Sequence, residues 1–73
     1  MIEFKLKDND DDLAFIELNK LLKATQVCNS GAMANIFITD GLVKLNGKTD
    51  TRKRAKVRKG DQVQFEETII KVI

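Results

Sequence analysis

Apolar and polar residues alternate from the start of the chain: Ile2-Glu3-Phe4-Lys5-Leu6-Lys7 has the period of two that marks a half-buried strand. Asp8-Asn9-Asp10-Asp11-Asp12 interrupts it, because Asp and Asn favour turns. From Leu13 to Ala24 the period changes. Ala14, Leu18, Leu21 and Leu22 share one face while Asn19, Lys20 and Lys23 take the other, which predicts an amphipathic helix with Phe15-Ile16 either in it or as an extended entry to it. A second helix is framed by Ser30 as N-cap and Gly41 as stop, with Met33 and Phe37, and Ala34 and Ile38, as i, i+4 pairs. Met33 and Phe37 are read as core. After Gly41 the period returns to two: Leu42-Val43-Lys44-Leu45 runs into Asn46-Gly47, the signature of a type I′ hairpin turn. Residues 48 to 59 are polar and basic and predict a long loop with little regular structure. Gly60-Asp61 makes a turn, Val63 and Phe65 alternate with Gln62 and Gln64, Glu66-Glu67-Thr68 turns the chain, and Ile69 to Ile73 is a last strand. The order predicts a single α+β domain over residues 1–73, two packed helices followed by short antiparallel strands.

Composition removes several classes of function. With no histidine and Cys28 as sole cysteine, neither a structural zinc site nor a Ser/His or Cys/His pair can be assembled. The acidic run does not supply a calcium loop. Counted from Asp8, Leu13 stands where the glycine is needed and Asn19 where the bidentate glutamate is needed. No metal, cofactor, small-molecule substrate or catalytic activity is expected. No apolar run approaches the roughly 20 residues that cross a bilayer, and Met1-Ile2-Glu3-Phe4-Lys5 lacks the apolar stretch of a signal peptide, so no membrane partner and a cytoplasmic location are expected. Cys28 is read as a small residue packed between the helices.

The net charge of +2 hides an asymmetry. Residues 1–40 hold four cations against seven acids, a net −3, whereas residues 41–73 hold nine against four, a net +5. The cations gather between the hairpin and the last two strands: Lys44, Lys48, Arg52, Lys53, Arg54, Lys56, Arg58 and Lys59. Lys44, between Val43 and Leu45, projects outward if those two face the core. Arg offers phosphate a planar fork, Lys a mobile charge, and Thr51 a hydroxyl donor. The helix start at Ser30-Gly31 offers free backbone N–H groups to a second anion. Phe4, Phe15, Phe37 and Phe65 all fall in apolar patterns and Tyr and Trp are absent, so base stacking has few candidates. These features favour a polyanion held by its backbone.

The spaced elements Ser30, Ala34, Gly41, Val43-Lys44-Leu45-Asn46-Gly47 and Gly60-Asp61 resemble the αL RNA-binding motif, the domain named for a small-subunit ribosomal protein, over a motif core of about residues 18–65. Ser30-Gly31-Ala32-x-Ala34 and Thr51-Arg52-Lys53-Arg54-x-Lys56 are similar in particular to its stand-alone, YbcJ-like bacterial members. The resemblance implies a monomeric accessory protein for structured RNA, rRNA or tRNA, with Ser30, Gly31, Lys44, Lys48, Thr51, Arg52, Lys53, Arg54, Lys56 and Arg58 as RNA-binding residues. Many members carry Arg directly after the capping Ser. Gly31 stands there, which shifts the grip toward backbone N–H groups and the basic segment. The competing expectation is a non-catalytic protein-interaction module of β-grasp type, acting in ribosome or RNP assembly. Sulfur-carrier proteins share the Val-x-Val-Asn-Gly hairpin and the Gly-Asp turn, but they end in Gly-Gly, whereas this chain ends Ile69-Ile70-Lys71-Val72-Ile73.

Overall fold

Seven strands and two helices follow one another in a computed structural model that describes residues 1–6 and 14–73: β1 (Ile2–Phe4), β2 (Ile16–Glu17), α1 (Leu18–Ala24), α2 (Gly31–Thr39), β3 (Val43–Leu45), β4 (Lys48–Thr49), β5 (Lys56–Val57), β6 (Gln62–Phe65) and β7 (Thr68–Val72). The expected turn at Asp8–Asp12 lies outside the described residues. The fold is the α+β arrangement read from the periodicity.

The main sheet has the order β1-β7-β6-β3-β4, and a second, two-stranded sheet pairs β2 with β5. All pairs are antiparallel except β1 with β7, which run parallel. That pairing closes the fold: Leu6 N donates to Ile73 O at 3.0 Å and Ile73 N to Phe4 O at 2.9 Å, tying the two ends of the chain together. The register puts Val43, Val63, Phe65, Ile70 and Val72 on one face, all buried, while Lys44, Gln62, Gln64 and Lys71 face away from it. Leu18, Leu21 and Leu22 of α1 and Ala34 and Ile38 of α2 complete the core, with Phe37 stacked on Phe65 at 4.9 Å between ring centroids. Cys28 is buried in the same cluster, and burial pushes its thiol up, leaving it protonated and unreactive at neutral pH.

Local chemistry explains the ends of α2. The Ser30 hydroxyl accepts from Met33 N at 3.2 Å. At the other end Gly41 N donates to Ile38 O and Leu42 N to Phe37 O, the paired bonds of a Schellman motif, with Gly41 at φ +79° as the left-handed residue. The hairpin after it is as expected: Asn46 and Gly47 both have positive φ, as a type I′ turn requires. Asn46 does more than turn the chain. Its side chain donates to Asp61 Oδ1 and accepts from Gln62 N, while Asp61 Oδ2 accepts from Arg58 N. The Asn-Gly and Gly-Asp turns, far apart in sequence, are thus one hydrogen-bonded unit. Asn46→Ala, which loses two side-chain bonds and places a Cβ-bearing residue without local compensation at positive φ, should lower stability by about 1–2 kcal/mol. Asn46→Gly should lose less, because it keeps the backbone conformation. Urea midpoints of the two variants measure the difference.

Three expectations need correction. The first helix begins at Leu18, five residues later than Leu13, because Ile16–Glu17 is drawn into pairing with Lys56–Val57. Residues 48 to 59 are not a plain loop: Lys48–Thr49 and Lys56–Val57 are strands, and Ala55 and Val57 are core residues. Met33 is 39% exposed and Phe15 43% exposed, so neither belongs to the interior. The first is exposed on α2, and the second sits on the outer face of the small sheet.

Candidate functional site

The basic segment is held by backbone before any of its side chains acts. Leu18 N donates to Ala55 O at 2.9 Å and Asn19 N to Lys53 O at 3.1 Å, so the first orphan amides of α1 are satisfied by carbonyls of this segment. Ala55 and Val57 anchor it from below by entering the core. Between these anchors Thr51, Arg52, Lys53, Arg54 and Lys56 are all exposed.

Asp50 organises the front of the segment. Its carboxylate accepts from the backbone N of Arg52 at 2.9 Å and from Arg52 Nε and Nη2 at 3.0 and 2.8 Å, a bidentate pair. The Asp50 side chain is only 11% exposed and the Arg52 side chain 74%. The hydrogen bonds from Arg52 hold the Asp50 carboxyl below its ordinary value and raise the guanidinium. Because the folded pKa is depressed, the pair is intact above about pH 4 and is lost only as pH falls through the lowered value. Two of the five guanidinium donors are used, so three remain for a ligand. Arg52 is therefore aimed rather than consumed, although Asp50 cancels its charge at long range. Arg54 is more loosely paired, with Nε 3.8 Å from Glu17 Oε2, and Glu17 also takes Lys20 at 3.1 Å. Among the described residues no acid lies within ion-pair distance of Lys44, Lys48 or Lys53.

Three shallow grooves follow one another along this side of the molecule. Lys48, Thr51 and Arg52 line the first together with Asp50 and the β3–β4 turn. Arg52, Arg54, Ala55 and Lys56 line the second, so Arg52 stands at their junction. Phe15, Ile16, Glu17 and Lys20 line the third, and it is joined to the second because Lys56 Nζ lies 5.0 Å from the Phe15 ring centroid and Arg58 Cζ 6.0 Å. Lys48, Thr51, Arg52, Arg54, Lys56 and Arg58 are thereby brought onto one continuous surface. Lys53 is exposed on the turn between them.

Three sequence candidates sit apart. Lys44 projects outward, as the alternation predicts, but on the face of the sheet turned away from the helices, where it lines a groove with Gly41, Leu42, Gln64 and Glu66. Ser30 and Gly31 open α2, and α2 meets the basic side through Asn35 Oδ1, which accepts from Asn19 Nδ2 at 3.0 Å. At 1.5 Å per residue, Ser30 stands about 7–8 Å along the helix axis from that contact. A Cβ built on Gly31 would meet nothing within 4 Å, so packing does not require glycine there. Phe15, Glu17 and Lys20 belong to the surface and were not singled out by sequence. The available signal was Lys56-Val57-Arg58, a lone apolar residue between two cations, which is the alternation of an edge strand.

Known proteins share the sequence and the fold of this chain. The S4-domain family profile matches residues 10–73. The putative RNA-binding protein YbcJ of Escherichia coli (strain K12) is 41% identical over 58 residues, 80% of this chain and 83% of its own length. The probable ribosome maturation protein RlbA of Bacillus subtilis (strain 168) is 36% identical over 55 residues, 75% of this chain and 78% of its own. The solution structure of the Escherichia coli YbcJ, reported as carrying an αL motif involved in RNA binding, superimposes with a TM-score of 0.72 at 37% identity, covering 100% of this chain and 87% of that one. With its sequence matched over most of its length and its two helices and mixed sheet superimposed on the αL-motif fold, the chain belongs to the S4-domain family.

Proposed function

We propose that this protein binds structured RNA, rRNA or tRNA, by gripping the phosphate backbone with the surface formed by Lys48, Thr51, Arg52, Lys53, Arg54, Lys56 and Arg58, and that it acts as a non-catalytic factor. The observation that carries the reading is the continuity of the cation-lined grooves across the backbone-anchored segment from Lys48 to Arg58. The backbone, fixed at Lys53 and Ala55, loses little freedom on binding, which favours recognition of a fixed phosphate geometry over a flexible strand. The names of the two relatives, one RNA-binding and one concerned with ribosome maturation, support the same direction. Ser30 and Gly31 add a second contact, where the Gly31 and Ala32 amides are left without helical acceptors.

A salt titration tests the proposal. If about five cations neutralise phosphates, log affinity should fall against log salt with a slope of about −3.5 to −4.5. Filter binding with a tRNA and with an rRNA hairpin gives the slope and ranks the two RNA classes. Affinity that does not change with salt rejects the reading.

A protein-interaction role has one observation in its favour. Met33, Ile36 and Leu42, on α2 and just after it, are 39, 55 and 51% exposed apolar side chains. If that role were the main one, Ile36→Asp would abolish association with ribosomal particles while leaving affinity for naked RNA unchanged.

A further inference from the structure

The small sheet carries a feature that phosphate binding leaves unused. Its register pairs Ile16 with Val57 and Glu17 with Lys56. Ile16 and Val57 turn toward the core, so Glu17 and Lys56 occupy the outer face, and extending the register by one residue sets Phe15 opposite Arg58 on that face. Phe15 is 43% exposed, with Lys56 Nζ at 5.0 Å and the Arg58 guanidinium carbon at 6.0 Å from its ring centroid. Phe15 is the one aromatic side chain among the exposed large hydrophobics of the described residues. Two cations thus lie beside the ring, and both belong to the basic surface.

We propose that Phe15 is a stacking platform for one unpaired nucleobase, with Lys56 and Arg58 holding the flanking phosphates. The inference rests on the RNA-binding reading above and deepens it. Any base presents a π-face to a phenyl ring, and a ring flanked by cations places the base and its charged backbone together. The groove lined by Phe15, Ile16, Glu17 and Lys20 runs beside the ring and gives the base a floor. A nucleotide would thus enter with its base over Phe15 and its phosphate toward Arg58 and Lys56. A helical stem gripped by Arg52 to Arg54 would then continue into a bulge or loop at this point.

The test uses the full chain and two RNA probes: a hairpin whose loop carries one 2-aminopurine, and a fully paired duplex of the same length. Wild-type protein should bind the hairpin more tightly than the duplex and change the 2-aminopurine emission. Phe15→Leu keeps an apolar side chain but no π-face. It should weaken hairpin binding about 5- to 10-fold, abolish the emission change and leave duplex affinity and the salt slope as they were. Phe15→Trp should restore the preference. If Phe15→Leu binds the hairpin like wild type with the same emission change, the stacking site is wrong while the phosphate-binding surface stands. If neither probe binds wild-type protein, the RNA-binding reading fails and the stacking site with it.

Discussion

Replacing Lys53 and Arg54 together by alanine is expected to weaken binding of a structured RNA about 25- to 60-fold at 0.1 M salt. Each phosphate neutralised contributes about 0.7–0.9 to the salt slope, a factor of about 5–8 at that concentration relative to 1 M, and two such contacts multiply. The slope itself should become shallower by about 1.4–1.8. These two residues give a cleaner test than Arg52. The Lys53 side chain has no acid within ion-pair distance among the described residues, and Arg54 only a long contact with Glu17 at 3.8 Å. The role of Lys53 in the fold is its carbonyl, which accepts from Asn19 N and survives substitution by alanine. The melting temperature should therefore move by a few degrees at most. Arg52→Ala, in contrast, would leave the mostly buried Asp50 carboxylate without its guanidinium, mixing a loop effect with a contact effect. Filter binding across salt concentrations, with thermal melts on the same preparations, decides the matter. A double variant that binds with an unchanged slope would move the RNA site elsewhere.

Leu22→Ala should remove about 2–5 kcal/mol of stability. Leu22 is fully buried in α1, in the cluster shared with α2 and the sheet. Its carbonyl also accepts from Cys28 N at 3.1 Å, where the chain turns toward α2. A domain of 73 residues has about 4–11 kcal/mol in total, so the variant stands between weakened and unfolded at 37 °C. Equilibrium urea unfolding followed by circular dichroism reads the loss. RNA affinity measured at 10 °C, where the residual fold is favoured, should stay near wild type, because no Leu22 atom reaches the basic surface. An unchanged urea midpoint would mean that α1 does not pack as described.

Much of the proposed binding surface was legible because its chemistry is local. Arg52, Lys53, Arg54 and Lys56 are neighbours in sequence and remain neighbours in space. The Ser30 cap and the Gly41 stop are decided within one helical turn, and the Asn46-Gly47 turn within four residues. The spacing of Asn46-Gly47 from Gly60-Asp61 pointed to a family, and Asn46 binding Asp61 and Gln62 supplies its physical reason: the two turns form one unit. The sequence left Phe15-Ile16 open because the pair looks equally like the start of a helix and the end of a strand, and the extended alternative is the one formed. Residues of that length carry too little periodicity to choose.

The sequence by itself determined the two helices, the hairpin, the inward and outward alternation of β3 and β6, the last strand and the lopsided charge, since propensity, capping and period act over a few residues. Only the tertiary structure decided that β1 closes the sheet in parallel with β7, that Lys56–Val57 pairs with Ile16–Glu17, and that Lys44 falls on the opposite face from the basic segment. It also placed Phe15 beside Lys56 and Arg58, residues some forty positions away. Strand pairing and the face a side chain takes depend on hydrogen bonds and burial between distant segments, and no local pattern encodes which distant segment will supply them.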